Sequence, residues 1–293
     1  MKHRKSFLPF SLFFCLLLIT LNGCNLINPD ETIPARIELQ PIQLVVGSTQ
    51  GSAQQKITEL WVYADQNFIG AVPPTAAFPY VSDKAQTHFI FKPGIRNNGI
   101  ASDAIIYPLY TSFEIDINTT PGSVTQVNPV THYKDDVKVS LNADFETTNE
   151  FVDNRDSFPG SVVTRISDNP FEGGYSGEIV LTKDSPFIEV GNAIALSDLP
   201  TDGRTTYLEM QYKSEMDMSI GILGISLEGN SFPNFFYLIK PTDHWNMLYI
   251  DLTHILEDSG FPAYKILFRA IYTSDSPKPE LKIQLDNIKV VHL

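Results

Sequence analysis

The side chains able to support a reaction are few and scattered. Beyond the N-terminal segment the histidines are His88, His132, His244, His254 and His292, and none lies in a zinc-ligand or His-Glu-x-x-His spacing. Ser176 sits in Gly-Tyr-Ser-Gly-Glu, which lacks the Gly-x-Ser-x-Gly turn that exposes a nucleophilic serine. Asp153-Asn154-Arg155-Asp156 places an arginine where an EF-hand loop needs oxygen ligands. No phosphate-cradling glycine loop and no dinucleotide fingerprint is present. Glycoside hydrolysis stays open as a minor alternative, because it needs only two carboxylates about 5 to 10 Å apart and leaves no local signature. Aromatic side chains offer binding chemistry instead, since the C–H face of a sugar stacks on an exposed ring. Phe158, Phe171 and Tyr175 fall in predicted loops and are the candidate ligand-binding residues. Phe232, Phe235 and Phe236 form a second cluster, and Phe261 with Tyr264 a third, whereas Trp245 and Tyr249 read as core.

These residues must be positioned by strands. No long segment repeats apolar residues at helical spacing, while short β-rich runs bounded by Gly, Pro, Asn and Asp recur. Such runs are Ile37 to Val46, Leu60 to Ala64, His88 to Phe91, Thr205 to Tyr212, Ser219 to Leu227, Phe235 to Ile239, Met247 to Leu252, Lys265 to Tyr272 and Leu281 to Val291. Leu281-Lys282-Ile283-Gln284-Leu285 alternates as a half-buried strand must. Leu252 to Glu257 is the one helical candidate. The fold class is therefore all-β, with two β-sandwich domains over 35–133 and 137–293 and a hinge at Lys134-Asp135-Asp136. The 293 residues carry 21 Lys and Arg against 34 Asp and Glu, a net charge of -13, which excludes nucleic acid as a partner.

Residues 1–23 read as an address. Lys2, Arg4 and Lys5 precede the apolar run Phe7 to Leu21, which has the flanks of a signal peptide and is short for a membrane span. Leu21-Asn22-Gly23-Cys24 resembles the bacterial lipobox, and that resemblance implies cleavage, acylation of Cys24 and anchoring by two or three acyl chains. Cys15 would leave with the leader, so no free thiol would remain for a disulfide, a nucleophile or a zinc site. Residues 24–34 would form a flexible tether. With Lys2, Arg4 and Lys5 gone, the mature charge of -16 disfavours anionic lipid, so the protein is expected to stand off its membrane. No Asp directly follows Cys24, which by resemblance to the enterobacterial sorting rule implies the outer membrane of a Gram-negative bacterium.

Ile57 to Val72 reads as a hairpin turning at Asp65-Gln66-Asn67. With Ile69, Gly70, Pro73 and Pro93-Gly94 it resembles the PEGA type of surface β-domain, which implies an immunoglobulin-like or PEGA-like N-terminal domain. Residues 137–293 resemble the jelly-roll sandwiches of carbohydrate-binding modules and the galactose-binding-like group. The resemblance rests on Asp144-Phe145-Glu146, Gly173-Gly174-Tyr175-Ser176-Gly177, Trp245 to Leu252 and Asp286-Asn287-Ile288. It implies a structural Ca²⁺ held by Glu146 and Asp286 against the loop Glu172 to Gly177; the alternative is that the two carboxylates only cap strand ends. The expected function is a non-catalytic binding module on a cell-envelope lipoprotein, with a glycan or an envelope protein as partner. The alternative role is that of an accessory subunit in an envelope assembly.

Overall fold

A computed structural model of the chain describes residues 31–273, 276 and 278–293. Residues 1–23, Cys24 and the first part of the expected tether lie outside the described residues. The protein is nearly all β, as its period-two patterning requires. Among the described residues no helix is long and apolar enough to cross a membrane.

Ten strands build an N-terminal unit: β1 Ala35–Leu39, β2 Gln43–Val45, β3 Glu59–Ala64, β4 Asn67–Val72, β5 Ala77–Tyr80, β6 Gln86–Arg96, β7 Ala104–Ile106, β8 Phe113–Asn118, β9 Val124–Val127 and β10 Val130–His132. One sheet has the order β4-β3-β6-β7, with β8 also paired to β6. Against it lie β5-β1-β9 and β10-β2, in which β1 runs parallel to β9 and β2 parallel to β10. The β3–β4 hairpin closes at Asp65 and Gln66, whose positive φ of 46° and 69° gives the two-residue turn that matches strand twist.

The rest of the chain forms a jelly-roll sandwich. Its strands are β11 Lys138–Ala143, β12 Asp153–Asn154, β13 Val163–Ile166, β14 Ser176–Thr182, β15 Phe187–Gly191, β16 Thr206–Ser214, β17 Met218–Ile225, β18 Ser231–Ile239, β19 Thr242–Asp251, β20 Ala263–Ile271 and β21 Glu280–His292; a short helix, α1 Thr253–Ser259, precedes β20. One layer is β13-β14-β21-β16-β19 with β11 added to β21; the other is β12-β15-β20-β17-β18. Alternate residues of both layers, such as Ile283, Leu285, Leu208 and Met210 against Ile220, Ile222, Ile266 and Phe268, fill the core between them.

The two parts are not joined by a free hinge. A second core unites the inner faces of the N-terminal unit with Tyr207, Met247, Tyr249 and Val291, which point outward from the first layer of the sandwich. Tyr133 and Val137, on either side of the expected hinge, are buried in that core. At its centre Glu209 and Lys289 are almost wholly buried and lie 3.1 Å apart. Tyr107 and Tyr133 donate their hydroxyls to the two Glu209 oxygens at 2.6 and 2.7 Å, and Lys289 donates to the Tyr133 hydroxyl and the Ser52 carbonyl. Burial with no water to solvate a phenolate, reinforced by the Glu209 charge, holds the Tyr107 and Tyr133 hydroxyls well above their ordinary range, so they stay protonated as donors. The layer carrying Glu209 and Lys289 is the docked sheet; the layer on the other side is the open sheet.

Candidate functional site

Glu146 and Asp286 converge on one loop. Phe145 takes a left-handed φ of 58°, which sends its ring into the core and turns Glu146 toward residues 173–175. Glu146 accepts the amide protons of Gly174 and Tyr175, while Asp286 accepts those of Phe171, Glu172 and Asn287. Gly173 has φ 66°, and a Cβ there would stand 2.3 Å from the Glu146 carboxylate, so only glycine lets the loop close. Desolvation, with Glu146 adding like charge, pushes the Asp286 carboxyl up to about 7 despite its three amide donors. Among the described residues neither carboxylate has a Lys or Arg partner, and no group of three or more His, Cys, Asp or Glu is placed to hold a metal ion. The pair thus lacks a cationic side-chain partner, and a hard cation would fit there by stabilising the ionised form of Asp286, provided main-chain or water oxygens complete its shell.

The three aromatic candidates do not form one platform. Tyr175 is exposed, with the Arg165 guanidinium stacked 4.3 Å from its ring centroid. Phe171 packs edge-on against Trp245 at 5.7 Å, and Trp245, read as core, is instead half-buried on the outer side of the docked sheet. Its apolar strand neighbours suggested burial, but Trp245 stands at the rim of the docked sheet, outside the core shared with the N-terminal unit. Tyr249 is buried as read, though in the core between the two parts. Phe158 sits apart on a loop tied to the open sheet, where Asp156 accepts the amide protons of both Phe158 and Glu189.

A different arrangement occupies the outer face of the open sheet. Strand alternation brings Asp153, Glu189, Lys265, Arg269 and Phe235 to that face, and Arg155 follows β12 onto it. Lys265 bonds Asp153 at 2.8 Å, Arg155 lies 3.5 Å from Glu189, and Arg269 donates to Glu189 through Nε at 3.0 Å. The Arg269 guanidinium is stacked 3.7 Å from the Phe235 ring centroid. These charged side chains are only 11% to 34% exposed. Leu223 and Leu267 alternate onto the same face, belong to neither core, and are nevertheless buried. Gly221 marks a bulge beside them, where a Cβ would meet the Asn234 carbonyl at 2.5 Å. The result is a sheet face with fixed donors and acceptors over an apolar floor and one aromatic ring at its edge. By contrast, the cleft of about 670 Å³ near Lys213, Glu215, His244 and Lys278 has no aromatic wall.

No protein-family model matches the chain. A search of curated proteins finds no match either. Among solved structures, a xylan-binding domain of family 22 from Paenibacillus barcinonensis overlaps 53% of this chain and 94% of its own, at 14% identity and a TM-score of 0.36. A family 11 carbohydrate-binding module of a cellulosomal cellulase from Clostridium thermocellum overlaps 53% and 95%, at 15% identity and a TM-score of 0.38. A carbohydrate-binding module of the β-sandwich superfamily overlaps 89% and 99%, again at 15% identity and 0.38. Overlaps this loose carry no weight on ligand or activity.

Sequence reasoning missed the open-sheet site because its residues come from β15, β18, β20 and the segment around β12. The local signal was available in the two-residue spacing of Asp153 and Arg155 and in the outward phase of Lys265 and Arg269.

Proposed function

We propose that this protein is a lipid-anchored cell-envelope protein that binds a glycan without transforming it, using the outer face of the open sheet. The observation that carries the reading is the inequality of the two outer faces of the sandwich. One is covered by the N-terminal unit, and the other is uncovered yet lined by half-buried Asp, Glu, Lys and Arg beside Phe235. Sugars need such a surface, because their hydroxyls demand donors and acceptors in fixed positions while their C–H faces demand an aromatic or apolar contact. Anchoring through acylated Cys24, in the outer membrane, belongs to the same proposal and is supported by the lipobox-like sequence. So does a structural Ca²⁺ at Glu146 and Asp286, which would neutralise the two carboxylates and stiffen the loop.

The test is a glycan array probed with soluble residues 25–293 and with the Arg269→Ala variant, each with Ca²⁺ and with a chelator. The expected result is selective binding by the parent and its loss in the variant, with melting temperatures within a few degrees. A blank array from folded parent protein would overturn the glycan reading and turn the search to a protein partner.

A further inference from the structure

The N-terminal unit has two distinct ends, defined by its longest strand. β6 has eleven residues, about 36 Å at roughly 3.3 Å each. At its Arg96 end stand the groups joined to the sandwich: Asn97 bridges to Tyr249, and the Asn98 amide donates to the Tyr249 carbonyl. At its Gln86 end the chain enters the fold. There Gly122 donates to the Pro34 carbonyl, and Thr32 lines a cleft with Val81, Lys84 and Pro121. The Lys84 ammonium also grips Asp65 at the tip of the β3–β4 hairpin, so tip and entry point share this end.

That end is apolar for a free surface. Ile33, Val81 and Val124 are between 60% and 65% exposed there, and Phe68 and Ile69, 52% and 42% exposed, follow from the hairpin tip along β4 to the level of Ile90 and Phe91. The charges there are Asp65, paired with Lys84, together with Glu31, Asp83, Arg36 and, beside the hairpin tip, Asp116 and Glu114 with His88, an acidic balance that disfavours anionic lipid and tolerates zwitterionic headgroups.

We infer that this end rests on the zwitterionic surface of the bilayer that holds the Cys24 acyl chains; the inference rests on the anchoring proposed above. Seven residues lie between Cys24 and Thr32, eight steps along the chain. Whatever its conformation, a chain of that length reaches at most roughly 28 Å, against a radius of gyration of about 13 Å for a hundred-residue unit. The tether is therefore too short to let the unit tumble freely, and it holds the apolar end at high effective concentration beside the lipid. Aromatic and aliphatic side chains at headgroup depth then add contacts too weak to recruit a soluble protein but sufficient to orient a tethered one. The stand-off expected from net charge applies to the sandwich at the far end, not to this unit.

The experiment uses the acylated full chain reconstituted in phosphatidylcholine vesicles, with an environment-sensitive thiol dye on Asn67→Cys at the hairpin tip or on Leu227→Cys in the sandwich. With Cys15 removed and Cys24 acylated, each variant offers one thiol. The expected result is a several-fold rise and blue shift at position 67, none at 227, and loss of the rise when Phe68→Ser and Ile69→Ser are added. Vesicle-bound protein with no change at 67, or with equal changes at both positions, overturns the docking while leaving the anchor intact. A chain that fails to float with vesicles overturns the anchor and the docking together.

Discussion

Glu209 and Lys289 decide how firmly the two parts of the molecule are held. A buried ion pair is worth little over an apolar pair of similar volume, but removing one partner strands a charge. Lys289→Met should therefore lower unfolding free energy by about 3 to 5 kcal/mol in denaturant titration, and adding Glu209→Gln should recover much of that loss. A double variant that loses the sum of the two single losses would mean the charges are not coupled. At the opposite limit of exposure, His88 lies 2.8 Å from Asp116 and 3.4 Å from Glu114. The hydrogen bond to Asp116 raises its imidazole above the ordinary 6.5. A raised folded-state value means that the stabilisation is complete below the unfolded value and lost as pH climbs through the folded one. NMR titration should place the His88 midpoint above 6.5, and Asp116→Asn should bring it down; an unchanged midpoint would remove Asp116 as the cause.

At the scale of elements, the loop after β13 depends on Gly173. Gly173→Ala would force a side chain into a left-handed conformation against Glu146, a cost of about 1 to 3 kcal/mol. The expected drop in melting temperature should be accompanied by loss of any Ca²⁺-induced rise, since the loop could no longer close over both carboxylates. A variant that melts like the parent would show the loop to be loose. The strands themselves were legible: Leu281 to Val291 falls within β21, Ser219 to Leu227 overlaps β17, and the helix proposed at Leu252 to Glu257 is α1 at Thr253–Ser259. Period-two alternation is a local property, and each strand carries its own record of which residues point together. What covers an outward face is not local. Glu209 and Lys289 alternate outward like ordinary surface residues of β16 and β21, and nothing near them in the sequence announces the N-terminal unit that buries them. Trp245 was misread for the converse reason, since its strand is covered only in part. The convergence of Glu146 and Asp286 on one loop came through the resemblance to sandwich modules, not through any pattern in the residues between them.

For the whole molecule, the shared core predicts cooperative behaviour. Residues 31–293 should melt in a single calorimetric transition, whereas excised 137–293 would expose Tyr207, Met247 and Tyr249 together with a stripped Glu209 and Lys289. We expect the excised sandwich to aggregate or to melt well below the intact chain; an unchanged melting temperature would show that the docking adds nothing to its stability. The parallel pairing of β1 with β9 and of β2 with β10 has a consequence of another kind. A pull that enters at the start of β1 and leaves from the end of β10 draws these partners past one another along their length. Their hydrogen bonds are then loaded side by side in shear, not opened one at a time. Such a clamp yields only when several bonds fail at once, so a protein held at its N-terminal side and gripping a ligand through its sandwich would resist being torn apart under flow.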